Sequence, residues 1–366
     1  MRRITNFLTK LDRYIIKKML GTFLMALGLF TVIIVVFDVA EKIDEFVSKE
    51  VTLREILLVH YANFIPFLLN MFSPLFVFIT VIFFTSRLAF RSEIVAILSS
   101  GVSYARFLRP YLVIAFLIAC CSYYLNGYLI PISEKKRLTF ENTVIRDRSF
   151  DFKQNIKLPL TANDVISFEN FRYLDSLGLK VSLEHFENGE LASRIMADKL
   201  TWEPKTQKWR LHNFVERIFY DDGIQRLTKL AFKDTLIPIN PDEIFMMDDD
   251  VQSFSNSEIN QMIKIERARS SNNIFFYLTE KYRRIASPVS IIILTLIGVS
   301  VSSVKQRGGV GLHLGKGLLI SFAFLFAMQF FNSYGAKGTL PPLTAVWLPN
   351  IIFGLIALRL LQRTQK

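Results

Sequence analysis

The sequence predicts a polytopic α-helical membrane protein of six transmembrane helices with an antiparallel β domain inserted after the third. Three observations lead there. Apolar runs long enough to cross a bilayer come in two groups of three, separated by a charged, turn-rich middle. Of the 366 residues, 51% are hydrophobic and 34 are Phe, a composition of membrane rather than water-soluble chains. The net charge of +12 gathers at the ends of apolar runs, where it sets topology and meets anionic lipid. That placement excludes a nucleic-acid face.

At the N-terminus, Phe7, Leu8, Leu11, Tyr14 and Ile15 share one helical face while Lys10, Arg13 and Lys17 share another, the pattern of an interfacial amphipathic helix. Met19 to Val39 then has the length of a span and lacks a small-residue cleavage site, which reads as an uncleaved first helix. Glu41, Asp44, Glu45 and Glu50 form a short acidic loop. Leu53 to Thr85 is a second span, with kinks expected at Pro66 and Pro74.

Between the second and third spans lies the polar stretch Arg87–Tyr111. Ser92 is placed to cap a short helix, Glu93 stands in its first turn, and Gly101 closes it. Ile94, Val95, Ile97 and Leu98 give it an apolar side for the bundle or a partner groove. Arg87, Arg91, Arg106 and Arg109 flank it, as in a cytoplasmic loop. An ordinary solvated loop helix has the same spacing. The third span is Tyr111 to Ile130, ending at Pro131, and its adjacent Cys120 and Cys121 are packing residues with no spaced partner.

From residue 131 to 284 charges and turns suit one independent domain. Asn188-Gly189 and Asp221-Asp222-Gly223 signal hairpins, and Glu203-Pro204 a turn between Trp202 and Trp209. Strands at Lys180–Phe186, Ala192–Trp202, Lys208–Tyr220 and Gln225–Phe232 form an antiparallel meander in a sandwich, jelly roll or open groove. Val181 and Leu183 share one face, as do Trp209, Leu211 and Val215. Ser257–Arg269 and Ile274–Arg284 read as helices. The last spans are Ile285–Val304, Gly317–Tyr334 and Ala345–Leu361. Lys and Arg crowd the N-terminus, the Arg87–Tyr111 stretch, the Lys305–Lys316 loop and the C-terminus, while the short outer loops hold only Lys42, Lys49 and Lys337. Both termini therefore fall inside and the β domain outside. The domains are 1–130 with the short helix near 92–101, 131–284, and 285–366.

In this order the chain resembles the lipopolysaccharide-export permeases LptF and LptG. The resemblance rests on the architecture, on Ser92-Glu-Ile-Val-Ala-Ile-Leu-Ser-Ser-Gly-Val-Ser103, on Arg284-Ile285-Ala286-Ser287-Pro288, and on the Gly-rich Gly308–Gly317. Ser287 departs from the aliphatic residue expected there. The resemblance implies a bacterial inner-membrane permease with a periplasmic β-jellyroll domain and lipopolysaccharide as cargo. It also implies three partners: a cytoplasmic LptB-like ATPase, a second paralogous permease, and an LptC- or LptA-like periplasmic bridge. The helix between spans two and three would dock into the ATPase through Arg91, Ser92, Glu93, Ile94, Ile97 and Leu98, with Glu93 the coupling carboxylate.

Other chemistries fare less well. Gly311-Leu-His-Leu-Gly315-Lys316-Gly317 has three residues between glycines where a P-loop has four, and Gly in place of the magnesium-binding Ser or Thr. His60, His185, His212 and His313 form no spaced zinc motif, and the acidic run Asp248–Asp250 reads as a solvated loop before it reads as a divalent-ion site. No catalytic residue, metal or cofactor is expected. A membrane-bound hydrolase or transferase lacks a nucleophile-and-base motif in the insert. A passive tether, or a permease that transmits force to a periplasmic partner without moving lipid, shares the architecture. For the lipid path the candidates are Lys42, facing an anionic headgroup, the intramembrane amides Asn63 and Asn70, and Leu183 and Leu211 on the inner face of the strands. Gln329 and Asn332 are further span amides, and for each of the four, bonding between helices is the commoner role.

Overall fold

The computed structural model describes residues 9–142, 152–172, 175–220, 225–241, 244, 248–304 and 309–364. They form two compact units. The first comprises the described residues up to Arg137, Gln252–Asn256 and those from Phe275 onward; the second is the insert with the helix that follows it.

In the helical unit, α1 is Lys10–Ser48, α2 Leu53–Phe90, α3 Glu93–Ser99 and α4 Tyr104–Phe140. All but the short α3 are long and apolar enough to span a membrane. Thr9 starts α1 with a capping box closed by Asp12, so the expected interfacial helix and first span are one continuous helix. Phe7 and Leu8 lie outside the described residues. Glu41, Asp44 and Glu45 belong to the last turns of α1 rather than to a loop. Helix α2 runs through Pro66 and Pro74, and α4 through Pro131. The π turn at Leu125–Leu129 precedes Pro131 and re-spaces the hydrogen-bond ladder just where its absent N–H would leave a gap.

Helix α2 is central because two of its faces are buried. Val77, Val81, Phe84 and Leu88 pack into a core with Ile15 and Met19 of α1 and Tyr111 and Ile114 of α4. Phe78 and Ile82, one step round, join the core of the C-terminal helices. In lipid such contacts are held by close packing rather than by escape from water.

The insert is antiparallel throughout: β1 Phe152–Pro159, β2 Asp164–Arg172, β3 Leu177–Glu187, β4 Glu190–Glu203, β5 Lys208–Phe219 and β6 Gln225–Thr235 make one six-stranded sheet. Each strand pairs with the next, so the β insert is a six-stranded meander, and β1 and β2 extend the four strands read from sequence. Asn188 (φ 52°) and Gly189 (φ 86°) form the expected β3–β4 turn, both in the left-handed region that a type I′ hairpin requires. The Asp221–Gly223 turn lies outside the described residues. Trp202 and Trp209 face each other across β4 and β5, rings 5.1 Å apart, and the Trp209 indole donates to the Ile239 carbonyl at 2.9 Å.

One feature of this sheet breaks simple alternation. Asn155, Glu169, Lys180, Asp198, Asn213 and Ala231 stand in one row across all six strands, and the Cα pairing skips each of them. Asn155, Lys180 and Asn213, on alternate strands, have φ of 52°, 46° and 47°. The row is a crease at which the buried set moves by one residue: Ile166 and Phe168 give way to Phe171, Ala197 to Leu200, and Trp209 and Leu211 to Phe214. Val215 therefore does not share the face of Trp209 and Leu211, because left-handed Asn213 puts Phe214 into the core instead.

After the 3-10 turn Asp248–Ser253 come α5 Asn256–Ala268, α6 Ile274–Ser302, α7 Gly309–Ala336 and α8 Pro342–Thr364. The expected helix Ile274–Arg284 and fourth span are thus one helix that continues through Pro288, and the boundaries drawn at 130/131 and 284/285 fall inside α4 and α6. The stretch Gly309–Gly317 is helical, not a loop; a Cβ on Gly317 would overlap Ile82 Cδ1, so this glycine serves the close approach of α7 to α2. Gly308 lies outside the described residues. Cys120 and Cys121 are exposed on the α4 surface rather than packed within the chain.

Candidate functional site

Helix α3 is built by the way α2 ends. Arg91 N–H bonds the Arg87 carbonyl and Ser92 N–H the Ala89 carbonyl, and Ser92 takes φ 58°, ψ 15°, the left-handed turn that stops a helix. Ser92 is also the N-cap residue of α3, and this backbone conformation prevents the side-chain cap bond expected of it. Gly101 closes the far end as expected, with φ 90° and its N–H on the Leu98 carbonyl. Ile94 is buried in the bundle core, and Ile97 and Leu98 pack against it. The opposite face carries Arg91, Val95 and a Glu93 carboxylate that is 37% exposed and 3.9 Å from Arg91 Nη1. The apolar residues thus anchor the helix while its charges stay outward.

At the other ends of α1 and α2, Asp38 is the centre of a polar cluster. It is the one charged residue of the apolar run Met19–Val39. Lys42 Nζ lies 3.0 Å from Asp38 Oδ1, Tyr61 donates to Oδ2 at 2.9 Å, and His60 Nε2 is 3.1 Å from Oδ2. His60 and Tyr61 are neighbours in the π turn Ile56–Tyr61, whose wider spacing lets both reach one carboxylate. Lys42 Nζ is 5.8 Å and the Arg137 guanidinium 5.2 Å from the Phe64 ring, so two cations converge on one aromatic side chain. Arg137 is held by Glu134 at 2.7 Å. Asn63 bonds back to the Val59 carbonyl at 2.7 Å within its own helix. Asn70 bonds across to Asn126, and Gln329 and Asn332 line the same cavity as that pair.

In the insert, Leu211 is 1% exposed and sealed in the core with Trp209 and Phe214. Leu183 is half-buried and lines a cavity of about 250 Å³ with Leu160, Ile195 and Ile237. Beside it His185 Nδ1 lies 2.6 Å from Asp164 Oδ1. The Asp164 hydrogen bond raises the His185 pKa above its ordinary value. Burial works to raise Asp164, but hydrogen bonds from Thr161 and His185 outweigh it and leave the carboxyl lowered.

Among the described residues no three His, Cys, Asp or Glu side chains come close enough to hold a metal ion. The histidines serve other contacts, His212 with Thr201 at 3.0 Å and His60 and His185 with carboxylates. The described residues thus combine six apolar helices in two sets of three, an antiparallel insert between them and a short charged helix after the second span. The family model of the lipopolysaccharide export system permease LptF/LptG matches residues 13–363. The chain belongs to this family. A comparison with curated proteins returned no match. As an LptF/LptG permease it is a multi-pass membrane component of lipopolysaccharide export.

Sequence reasoning missed Asp38, Tyr61, Asn126 and Arg137. A carboxylate inside an apolar run demands a partner, and that signal was present at Asp38. Nothing local marks Asn126 or Arg137, whose roles depend on helices far away in sequence.

Proposed function

We propose that the chain is one of two permeases of an ABC exporter that lifts lipopolysaccharide from the outer leaflet of the inner membrane and hands it to a periplasmic bridge protein. The LptF/LptG match over residues 13–363 is the observation that carries this reading. A separate ATPase supplies the energy; the chain contributes no catalytic residue, metal or cofactor. Helix α3 faces that ATPase on the cytoplasmic side, with Arg91, Ser92 and Glu93 as the outward contact and Ile94, Ile97 and Leu98 transmitting its movement to the bundle. Both termini are cytoplasmic and the β insert periplasmic.

The second permease covers the bare faces of α1 and α7, the least buried of the six spans, where Met25, Leu29, Phe37, Leu319, Phe322 and Phe326 are exposed. Lys42 and Arg137 receive the anionic headgroup. Asn63 and Asn70 lie along the path, and the insert takes acyl chains past Leu183, reaching Leu211 only if the core opens. One of the outer strands of the described sheet, β1 or β6, accepts the bridge by strand addition. Purification from its host in mild detergent tests the assignment. Co-elution of an ATPase, a paralogous permease and lipopolysaccharide supports it; a chain that elutes alone and hydrolyses or transfers a substrate by itself refutes it.

A further inference from the structure

Inside the helical unit a cavity of about 120 Å³ lies among α2, α4, α6 and α7. Its wall is polar, where the cores on either side are aliphatic and aromatic. Asn70, 5% exposed, donates from Nδ2 to Oδ1 of Asn126, 8% exposed, at 2.8 Å. That single bond leaves Asn70 Oδ1 and Asn126 Nδ2 buried with no partner among the described residues, and Asn332 Oδ1 on the same wall is in the same state. Exchanging oxygen and nitrogen in the Asn70 and Asn126 amides only moves the deficit, since one acceptor and one donor remain either way.

The backbone gives a second, independent observation. Pro74 has no N–H to return to the Asn70 carbonyl, and the Ser73 hydroxyl supplies that bond instead at 3.0 Å. At the π turn Leu125–Leu129 the Ile130 N–H goes to the Leu125 carbonyl, and Pro131, next in line, has no N–H. The Asn126 carbonyl therefore receives neither the α-type nor the π-type bond. On α6, Pro288 follows Arg284 of the same wall by one turn. Prolines thus interrupt three helices beside one cavity, and in two of them the residue preceding the break also presents its side-chain amide there.

Buried polar atoms are satisfied by protein or by water, and irregular backbone at membrane depth is tolerated where it lines water-filled space. The three orphan amide atoms are two acceptors and one donor. Water donates and accepts, so it answers all three, which a bare anion or cation does not. At liquid density a cavity of this size holds about four waters.

We propose that a cluster of bound water occupies this cavity and completes the hydrogen bonding of Asn70, Asn126 and Asn332 where prolines interrupt α2, α4 and α6. The meeting point of the helices is then a hydrated joint, with water reaching the π turn of α4. The site lies within one chain and does not depend on the export reading.

Hydroxyl-radical labelling by X-ray radiolysis of the full-length chain in nanodiscs tests this, because water bound beside a buried side chain generates the radical that modifies it. Phe324, 1% exposed, lines the cavity; Phe78, 0% exposed, lies in the same apolar core but not on the cavity wall. Phe324 should be hydroxylated at least ten times faster than Phe78. In Asn70→Leu/Asn126→Leu, which removes both members of the amide pair and fills their space, Phe324 should fall to the Phe78 rate. Hydrogen exchange of the Gly127–Ile130 amides should slow at least tenfold in the same variant, since water no longer reaches the turn. Equal labelling of Phe324 and Phe78 in the wild type overturns the proposal and marks the cavity as dry or filled by an acyl chain. Labelling and exchange that the double variant leaves unchanged overturn it too. If the double variant does not fold, the wild-type comparison decides alone.

Discussion

Arg106 Nη2 donates to Asp12 Oδ2 at 2.7 Å, joining the first turns of α1 and α4 across 94 residues of sequence. Asp12 is 3% exposed and also closes the Thr9 capping box, so one carboxylate holds a helix start and a helix pair together. Of the four arginines around α3, this one is therefore structural. Arg106→Gln should destabilise the bundle by about 1–3 kcal/mol, below the full cost of a buried unpaired carboxylate because the guanidinium is 30% exposed. Adding Asp12→Asn should recover part of the loss. Equal melting of Arg106→Gln and wild type in detergent would contradict this.

The crease in the insert predicts a pattern at Asn213. Left-handed backbone suits Asn and Gly and strongly disfavours β-branched residues. Asn213→Gly should be nearly neutral, whereas Asn213→Val should cost about 1–3 kcal/mol. Hydrogen exchange of the β5 amides reads the difference; comparable protection in both variants would mean that the crease does not constrain the sheet.

The His185–Asp164 pair predicts a pH dependence of the insert. A raised histidine pKa contributes stability that is complete below the unfolded value, about 6.5, and is lost as pH rises through the folded value. The lowered Asp164 pKa contributes stability that is present above about 3.8 and is lost as pH falls through its folded value. The pair therefore stabilises most between those two unfolded values. Amides of β2 and β3 should be better protected at pH 5.5 than at pH 8, by a small margin because both side chains are partly exposed. His185→Gln should remove the difference.

Glu93 projects from an anchored helix, which separates its role from folding. Glu93→Lys should leave membrane insertion and Tm unchanged while abolishing lipopolysaccharide stimulation of the complex's ATPase. Normal stimulation with unimpaired ATPase association would remove Glu93 from the coupling role.

The spans were legible because apolar run length is a strong signal, and β3 to β6 because alternation is punctuated by Asn188-Gly189 and Glu203-Pro204. Strand β1 was hidden by the polar Lys153-Gln154-Asn155, and β2 by Glu169 and Asn170 where the crease breaks its period. Helix ends were misplaced where prolines sit inside helices, at Pro131 and Pro288, since only the packed bundle and the adjacent π turn show that the chain continues. Of helix α3, the closure at Gly101 was legible, whereas spacing grouped the exposed Val95 with Ile94, Ile97 and Leu98 and left open whether that side meets the bundle or a partner. The geometry of Ser92 was not legible, because one residue ends α2 and begins α3. The partners of Asp38 and of Asn70 were illegible, as each lies on another helix.

Reconstitution measures the central claim most directly. Proteoliposomes containing the chain, its paralogue and the ATPase, loaded with lipopolysaccharide, are given a periplasmic bridge protein carrying a photo-crosslinker. A second crosslinker replaces Leu183 or, as control, Ser182, which does not line the cavity beside Leu183. Lipopolysaccharide should be captured at Leu183 and on the bridge only when ATP is supplied, and hardly at Ser182. Capture independent of ATP, or equal at the two positions, would contradict export through this chain.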